Sequence, residues 1–180
     1  MKRSIVLLLV VLMVLAPCAY GETGQTEEIL ITDMIGREVT VTPGSYQRVV
    51  CIGAGALRMY TYIGDVGLLC GVEDIDNTSL AERPKMFDSV ARPYMLAYGD
   101  RFATLPSCGV GGPKNQSAES EKILSCRPDI VISEYEDVTA EDELQNTLGV
   151  PVITVKYGFH ISVKCRNRND FRHCFSPLDK

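Results

Sequence analysis

The sequence predicts an α/β fold, a parallel sheet flanked by helices and preceded by a β-hairpin. Three observations predict it. First, short apolar runs recur without alternation: Arg48-Val49-Val50-Cys51-Ile52, Leu68-Leu69-Cys70-Gly71-Val72, Ile130-Val131-Ile132 and Val150-Pro151-Val152-Ile153-Thr154-Val155. Runs of this kind suit strands buried on both faces. Second, segments between them carry helical signals, with Gly64 and Gly149 placed as stops. Third, strand–helix–strand order implies parallel neighbours joined by crossovers.

The elements follow in order. Glu22 to Glu28 is a polar leader. From Ile29 to Thr42, two β-branched runs flank Asp33-Met34-Ile35-Gly36 and read as a hairpin, ended by Pro43-Gly44. After the strand at Arg48–Ile52, Gly53-Ala54-Gly55 leads into a helix from Ala56 to Gly64. Leu68–Val72 reads as the next strand, followed by the acidic loop Glu73-Asp74-Ile75-Asp76-Asn77. Ser79 to Asp100 holds two prolines and reads as a short helix and a surface loop. Val110-Gly111-Gly112-Pro113 is a glycine turn, and Ser117 is placed to cap a helix with Glu119 and Glu121 near its start and Ile123 and Leu124 facing inward. Arg127-Pro128-Asp129 stops that helix before the strand Ile130–Ile132. A further helix runs from Ala140 to Leu148 before the strand Val150–Val155.

Composition bounds the function. The 180 residues fit one domain, and 46% hydrophobic with 23% charged residues is ordinary globular usage. A net charge of −5 argues against a nucleic-acid partner, whose phosphates require a basic surface. Residues 159–180 are different: five basic residues against two acidic give +3, leaving −8 for the rest. That change of sign marks a boundary. The tail has no stripe for packing and reads as an anomalous basic segment without ordered structure. At the other end, Lys2 and Arg3 precede the apolar run Ile5–Ala16, and Ala19-Tyr20-Gly21 offers a cleavage site. Residues 1–21 therefore read as a signal peptide, and the run is short for a bilayer span. Leu15-Ala16-Pro17-Cys18 also resembles a lipoprotein box, which would anchor the chain through Cys18; Pro17 departs from the usual small residue there. Either reading exports the chain, to the periplasm or the cell surface. Seven cysteines show no CxxC spacing, which disfavours a structural zinc site; Cys51 and Cys70 read as buried small hydrophobes.

Catalytic signals are weak. Gly53-Ala54-Gly55-Ala56-Leu57-Arg58 opens like a dinucleotide fingerprint, but Arg58 stands where the third glycine belongs. The simpler reading is a helix N-terminus opening on a cleft. The histidines are His160 and His173, both in the tail, which leaves no histidine base for a nucleophile in the folded portion. Glu73, Asp74, Asp76, Glu134, Glu136 and Asp137 end successive strands and read either as cation ligands or paired carboxylates, or more plainly as a solvated rim.

The hairpin TDMIGREVTV, the segment RVVCIGAGALRMYTYIG, the strand LLCGVED and the stretch GGPKNQSAESEKILSCRPDIVIS together resemble the periplasmic binding proteins of ABC importers for iron–siderophore, haem and cobalamin. The resemblance covers Ile29 to Tyr157 and implies a Rossmann-like lobe, the first of two joined by a long helix, over residues 22–158. A strand such as VPVITV should lead into the second lobe; the basic tail stands there instead, which implies a truncated product with impaired binding. The resemblance further implies a non-enzymatic protein that binds an iron complex or related metal chelate, needs no cofactor, and delivers its solute to a membrane permease. By position it places Gly53, Ala54, Gly55 and Ala56, then Ile75 and Asp76, then Gly112, Lys114 and Asn115 at the ligand. It also places Arg58 at the ligand, where the family often has an acidic residue and a cation could favour an anionic chelate or simply be exposed, and it places Glu121 where a surface glutamate docks on the permease. The alternative from a different class is an exported α/β enzyme acting on a small anionic substrate through Gly53–Arg58.

Overall fold

A computed structural model describes residues 27–85, 92–112 and 117–156. Residues 1–21, read as a signal peptide, with Cys18 as the alternative anchor, lie outside the described residues, as do Lys114, Asn115 and the basic tail with its histidines.

Strands β1 (Ile29–Thr32) and β2 (Glu38–Val41) form the antiparallel hairpin. Strand β3 (Val49–Ile52) pairs in parallel with β6 (Ile130–Ser133), and β6 with β7 (Val152–Thr154). On the other side β4 (Val72–Glu73) pairs in parallel with β5 (Ser107–Gly109). A parallel bridge between Val49 and Leu69 joins this pair to β3. The spatial order is therefore β5-β4-β3-β6-β7. Helices α1 (Ala56–Ile63), α2 (Pro93–Phe102), α3 (Ser120–Cys126) and α4 (Val138–Leu148) cover the sheet.

Alternate strand residues divide between two cores. Val49, Cys51, Ile130, Ile132 and Ile153 pack with Val39 and Val41 of the hairpin and with Tyr60, Tyr94 and Phe102 of α1 and α2. Val50, Ile52, Val131 and Val152 pack with Ile123, Cys126, Leu144 and Leu148 of α3 and α4. This is the period-two geometry of a strand buried on both faces. The sequence reading of a parallel sheet flanked by helices holds.

A buried ion pair fixes the hairpin to the sheet. Arg37 Nη2 lies 2.9 Å from Asp33 Oδ2, with both side chains almost fully covered. The same guanidinium donates to Val152 O at 2.6 Å and to Asp142 Oδ1 at 3.1 Å. The planar fork lets one residue satisfy a carboxylate, a carbonyl and a second carboxylate together.

Four local details differ from the sequence reading. The segment Leu68–Val72 is not one strand: a 3-10 turn occupies Val66–Leu68, and regular pairing begins only at Val72. The turn forms because the Asp65 carboxylate accepts from Gly67 N–H at 2.7 Å. Ser107-Cys108-Gly109, which has no strand signal of its own, is β5, a strand made by tertiary pairing rather than by propensity. Ser117 does not cap α3; the residue before that helix is Glu119, whose carboxylate turns back to accept from Val110 N–H at 2.7 Å. Leu124 faces outward at 43% exposure, while Ile123 is fully buried. Cys51 and Cys70 are buried free thiols, as read from the sequence; Cys108 and Cys126 are buried free thiols too, and burial raises the pKa of each.

Candidate functional site

The strand order creates a crevice. From β3 the chain winds outward through β4 to β5, then returns to β6 on the opposite side of β3 and continues to β7. Connections thus leave β3 and β6 in opposite directions, and the loops beyond their carboxyl ends part at a topological switch point, where open α/β sheets bind ligands. The two loops are Gly53–Gly55 and Glu134–Asp137.

These loops meet closely. Glu134 N–H donates to Ile52 O at 3.0 Å. Gly53 and Gly55 hold φ of 88° and 114°, left-handed values that favour glycine. A Cβ on Gly53 would lie 3.1 Å from Glu134 Cβ, and one on Gly55 3.0 Å from Glu134 Oε2. The glycines that resemble a nucleotide loop therefore make room for Glu134.

Beneath the first loop lies Glu73, only 4% exposed at the end of β4. Its Oε1 accepts from Gly53 N–H at 3.0 Å, tying the ends of β3 and β4. Gly111 passes so near that a Cβ would come within 2.5 Å of Glu73 Oε2. Burial pushes the Glu73 carboxyl up to about 7, opposed by the Gly53 hydrogen bond and reinforced by Asp74, Glu119 and Glu134.

The second loop opens on a cleft of about 850 Å³ between the ends of the strands and helices α3 and α4. Its wall comprises Glu134, Tyr135, Glu136 and Asp137, then Ala140, Glu141, Glu143, Leu144 and Thr147 of α4. Ala54, Gly112, Ser117, Ala118 and Ser120 complete the lining. The volume suits a small-molecule site. Asp137 caps α4, accepting from Thr139 and Ala140 N–H at 2.9 and 3.1 Å. Glu141, 1% exposed, reaches the ends of β6 and β7, where the hydroxyls of Ser133 and Thr154 bond its carboxylate. Burial raises the Glu141 pKa, with nearby Arg37 acting against it.

The sequence-selected residues divide. Ala54 and Gly112 line the cleft. Gly53 and Gly55 shape its rim through Glu134. Ala56 is wholly buried in the core, so its side chain turns away from the cleft. Arg58 sits half-buried on α1 and is not among the lining residues. Ile75 packs under Gly112, where a Cβ would lie 3.0 Å from its Cδ1. Asp76 is 5% exposed and committed elsewhere: it forms an ion pair with Arg92 and accepts from Tyr94 Oη at 3.0 Å. Glu121 is exposed in the first turn of α3.

The solvated-rim reading of the acidic residues therefore fails for Glu73 and Asp76, which are buried, and holds for Glu136 and Asp137, which are exposed. Sequence reasoning did not single out Tyr135, Glu141, Glu143 or Thr147. The available signal was the helical spacing of Ala140, Glu141, Leu144 and Thr147, which puts them on one side of α4. Among the described residues no three of His, Cys, Asp and Glu are grouped to hold a metal ion, and no helix is long and apolar enough to cross a membrane.

No protein-family model and no curated protein matches the sequence. Solved structures do match. The molybdate periplasmic binding protein MolA of Haemophilus influenzae superposes with a TM-score of 0.51 at 18% identity, over 71% of this chain and 34% of its own. A periplasmic solute-binding protein of Veillonella parvula gives 0.50 at 18% identity, over 74% and 36%. The periplasmic catecholate-siderophore binding protein VctP of Vibrio cholerae gives 0.47 at 24% identity, over 71% and 37%. The chain spans about a third of the length of the structures it matches. The described residues thus carry the fold of one part of a periplasmic solute-binding protein.

Proposed function

We propose that the chain is an extracytoplasmic solute-binding protein that captures a small solute, an iron complex such as a siderophore or haem or a related metal chelate, for an ABC permease. The observation that carries this reading is the cleft of about 850 Å³ at the switch point of the parallel sheet. The shared fold of MolA and the Veillonella protein supports a binding rather than a catalytic role. The residues proposed at the solute are Ala54, Gly112 and the wall from Glu134 to Thr147, with Lys114 and Asn115 following Gly112 in sequence. Gly53 and Gly55 position this site rather than touch the solute.

Export follows from Met1–Gly21 read as a signal peptide, with residues 22–158 as the binding lobe and 159–180 as a separate tail. Glu121 is proposed as a docking charge for the permease, since an exposed rim carboxylate steers association more than it adds stability. Titration of the purified chain with ferric chelates, haem and cobalamin tests the reading. Saturable binding of a chelate is expected, with Glu121→Gln leaving that affinity unchanged and lowering stimulation of a reconstituted importer. Turnover of phosphoesters without binding of any chelate would sink the proposal.

A further inference from the structure

The charge of the cleft wall points to the chemistry of what it meets. Glu134, Glu136, Asp137, Glu141 and Glu143 line the cavity, and none of its lining residues is Lys or Arg. Glu136 Oε2 takes Lys156 Nζ at 2.5 Å, Asp137 caps α4, and Glu134 has partners of its own. Glu141 is the one that asks for a partner. It is 1% exposed, and although Ser133 and Thr154 bond its carboxylate, its Oε2 is buried with no hydrogen-bond partner among the described residues. Buried acceptors are satisfied as a rule, because a lost water contact must be replaced. The charged groups nearest it oppose one another, Arg37 attracting and Asp33 repelling the negative form.

We infer that the face of the solute meeting this wall carries a hydrogen-bond-donating cation, an ammonium or guanidinium group, and that Glu141 with Glu143 selects it. The inference rests on the solute-binding reading above. An anionic face would meet like charge at Glu141 and Glu143, where juxtaposed charges reject a partner. A bare metal ion fits less well, since among the described residues these carboxylates do not form a three-ligand group. A donor on an organic cation needs no such convergence. It requires one unsatisfied acceptor at the wall and a negative neighbour, and Glu141 Oε2 with Glu143 supplies both.

The test holds the metal centre constant and changes the charge. The full chain, isotopically labelled, is titrated by NMR with the gallium(III) complex of desferrioxamine B, which carries an ammonium tail. Parallel titrations use its N-acetylated form, which does not, and an anionic gallium(III) tris-catecholate. We expect the ammonium complex to bind about tenfold more tightly than the acetylated one, with shifts centred on Glu134–Thr147. Glu141→Gln should bring that ratio close to one. Should that variant fail to fold, Glu143→Gln at an exposed position carries the same test and should reduce the ratio about threefold. Equal or tighter binding of the acetylated or catecholate complex overturns the inference and leaves the solute-binding reading standing. Binding of no complex at millimolar concentration overturns both.

Discussion

Glu73 at the end of β4 and Glu141 on α4 are both buried carboxylates, and their surroundings differ. Glu141 sits in the first turn of α4 among hydroxyls, with Arg37 close by and the Arg37–Asp33 pair beneath the hairpin. Glu73 has one backbone N–H, from Gly53, and the charges acting on it are those of Asp74, Glu119 and Glu134. The first belongs to a compensated network. The second is an acid buried among acids, held in place by close backbone packing. The difference teaches that two groups of equal burial can serve opposite ends. Burial favours the neutral form of both, but at Glu141 a cation and two hydroxyls oppose it, whereas Glu73, with one N–H donor among like charges, acts as a spacer between two glycine loops.

Removing the compensation should break the contrast most severely. Arg37→Met deletes the guanidinium that faces Asp33, Asp142 and the Val152 carbonyl, leaving the Asp33 carboxylate buried without its cation. A loss of roughly 3–5 kcal/mol in unfolding free energy is expected, measured by chemical denaturation near pH 7. A loss under about 1 kcal/mol would show that Asp33 and Glu141 hold their charges without Arg37.

The Glu73 side breaks by crowding rather than by charge. In Gly111→Ala the new Cβ would lie 2.5 Å from Glu73 Oε2 and 2.7 Å from its Cβ, at a φ of 69°. Left-handed strain and the displaced side chain together should cost about 2–4 kcal/mol. The same substitution at Gly149, also left-handed but with open space around it, should cost only about 1 kcal/mol. Similar losses at the two positions would mean that the Glu73–Gly111 approach is not tight.

The same contrast governs what the sequence disclosed. The β3-β6-β7 half was legible because Val49–Ile52, Ile130–Ile132 and Val152–Ile153 are apolar runs that only a two-sided core explains. The β4-β5 half was not. Val72-Glu73 and Ser107-Cys108-Gly109 are short and mixed, and their pairing comes from tertiary contact. Gly53 and Gly55 were legible as a loop facing a cleft, yet the residue they accommodate, Glu134, comes from a strand end far along the chain. The fate of Asp76 depended on Arg92, and that of Glu141 on Ser133 and Thr154; long-range partners of this kind leave no local spacing. What a charged residue at a strand end does is set by which distant group meets it.

The last effect is the most discriminating, because it grows as pH rises. An unfolded glutamate titrates near 4.5, while burial raises Glu73 to about 7. Between those values the folded chain holds the proton that the unfolded chain has lost. Glu73 therefore reduces stability as pH rises through this window, by up to roughly 3 kcal/mol above it, and has no such effect below about 4.5. Glu73→Gln keeps an acceptor for Gly53 N–H and cannot ionise. Relative to the parent chain it should be nearly neutral at about pH 4.5 and stabilising by about 1–3 kcal/mol at about pH 8, read as the difference between two denaturation series. Glu141→Gln should show the same direction more weakly, since burial raises its pKa as well but Arg37 and two hydroxyls oppose that rise. If the two variants gave the same pH profile, the neighbours of these carboxylates would not be what separates them, and burial alone would govern both.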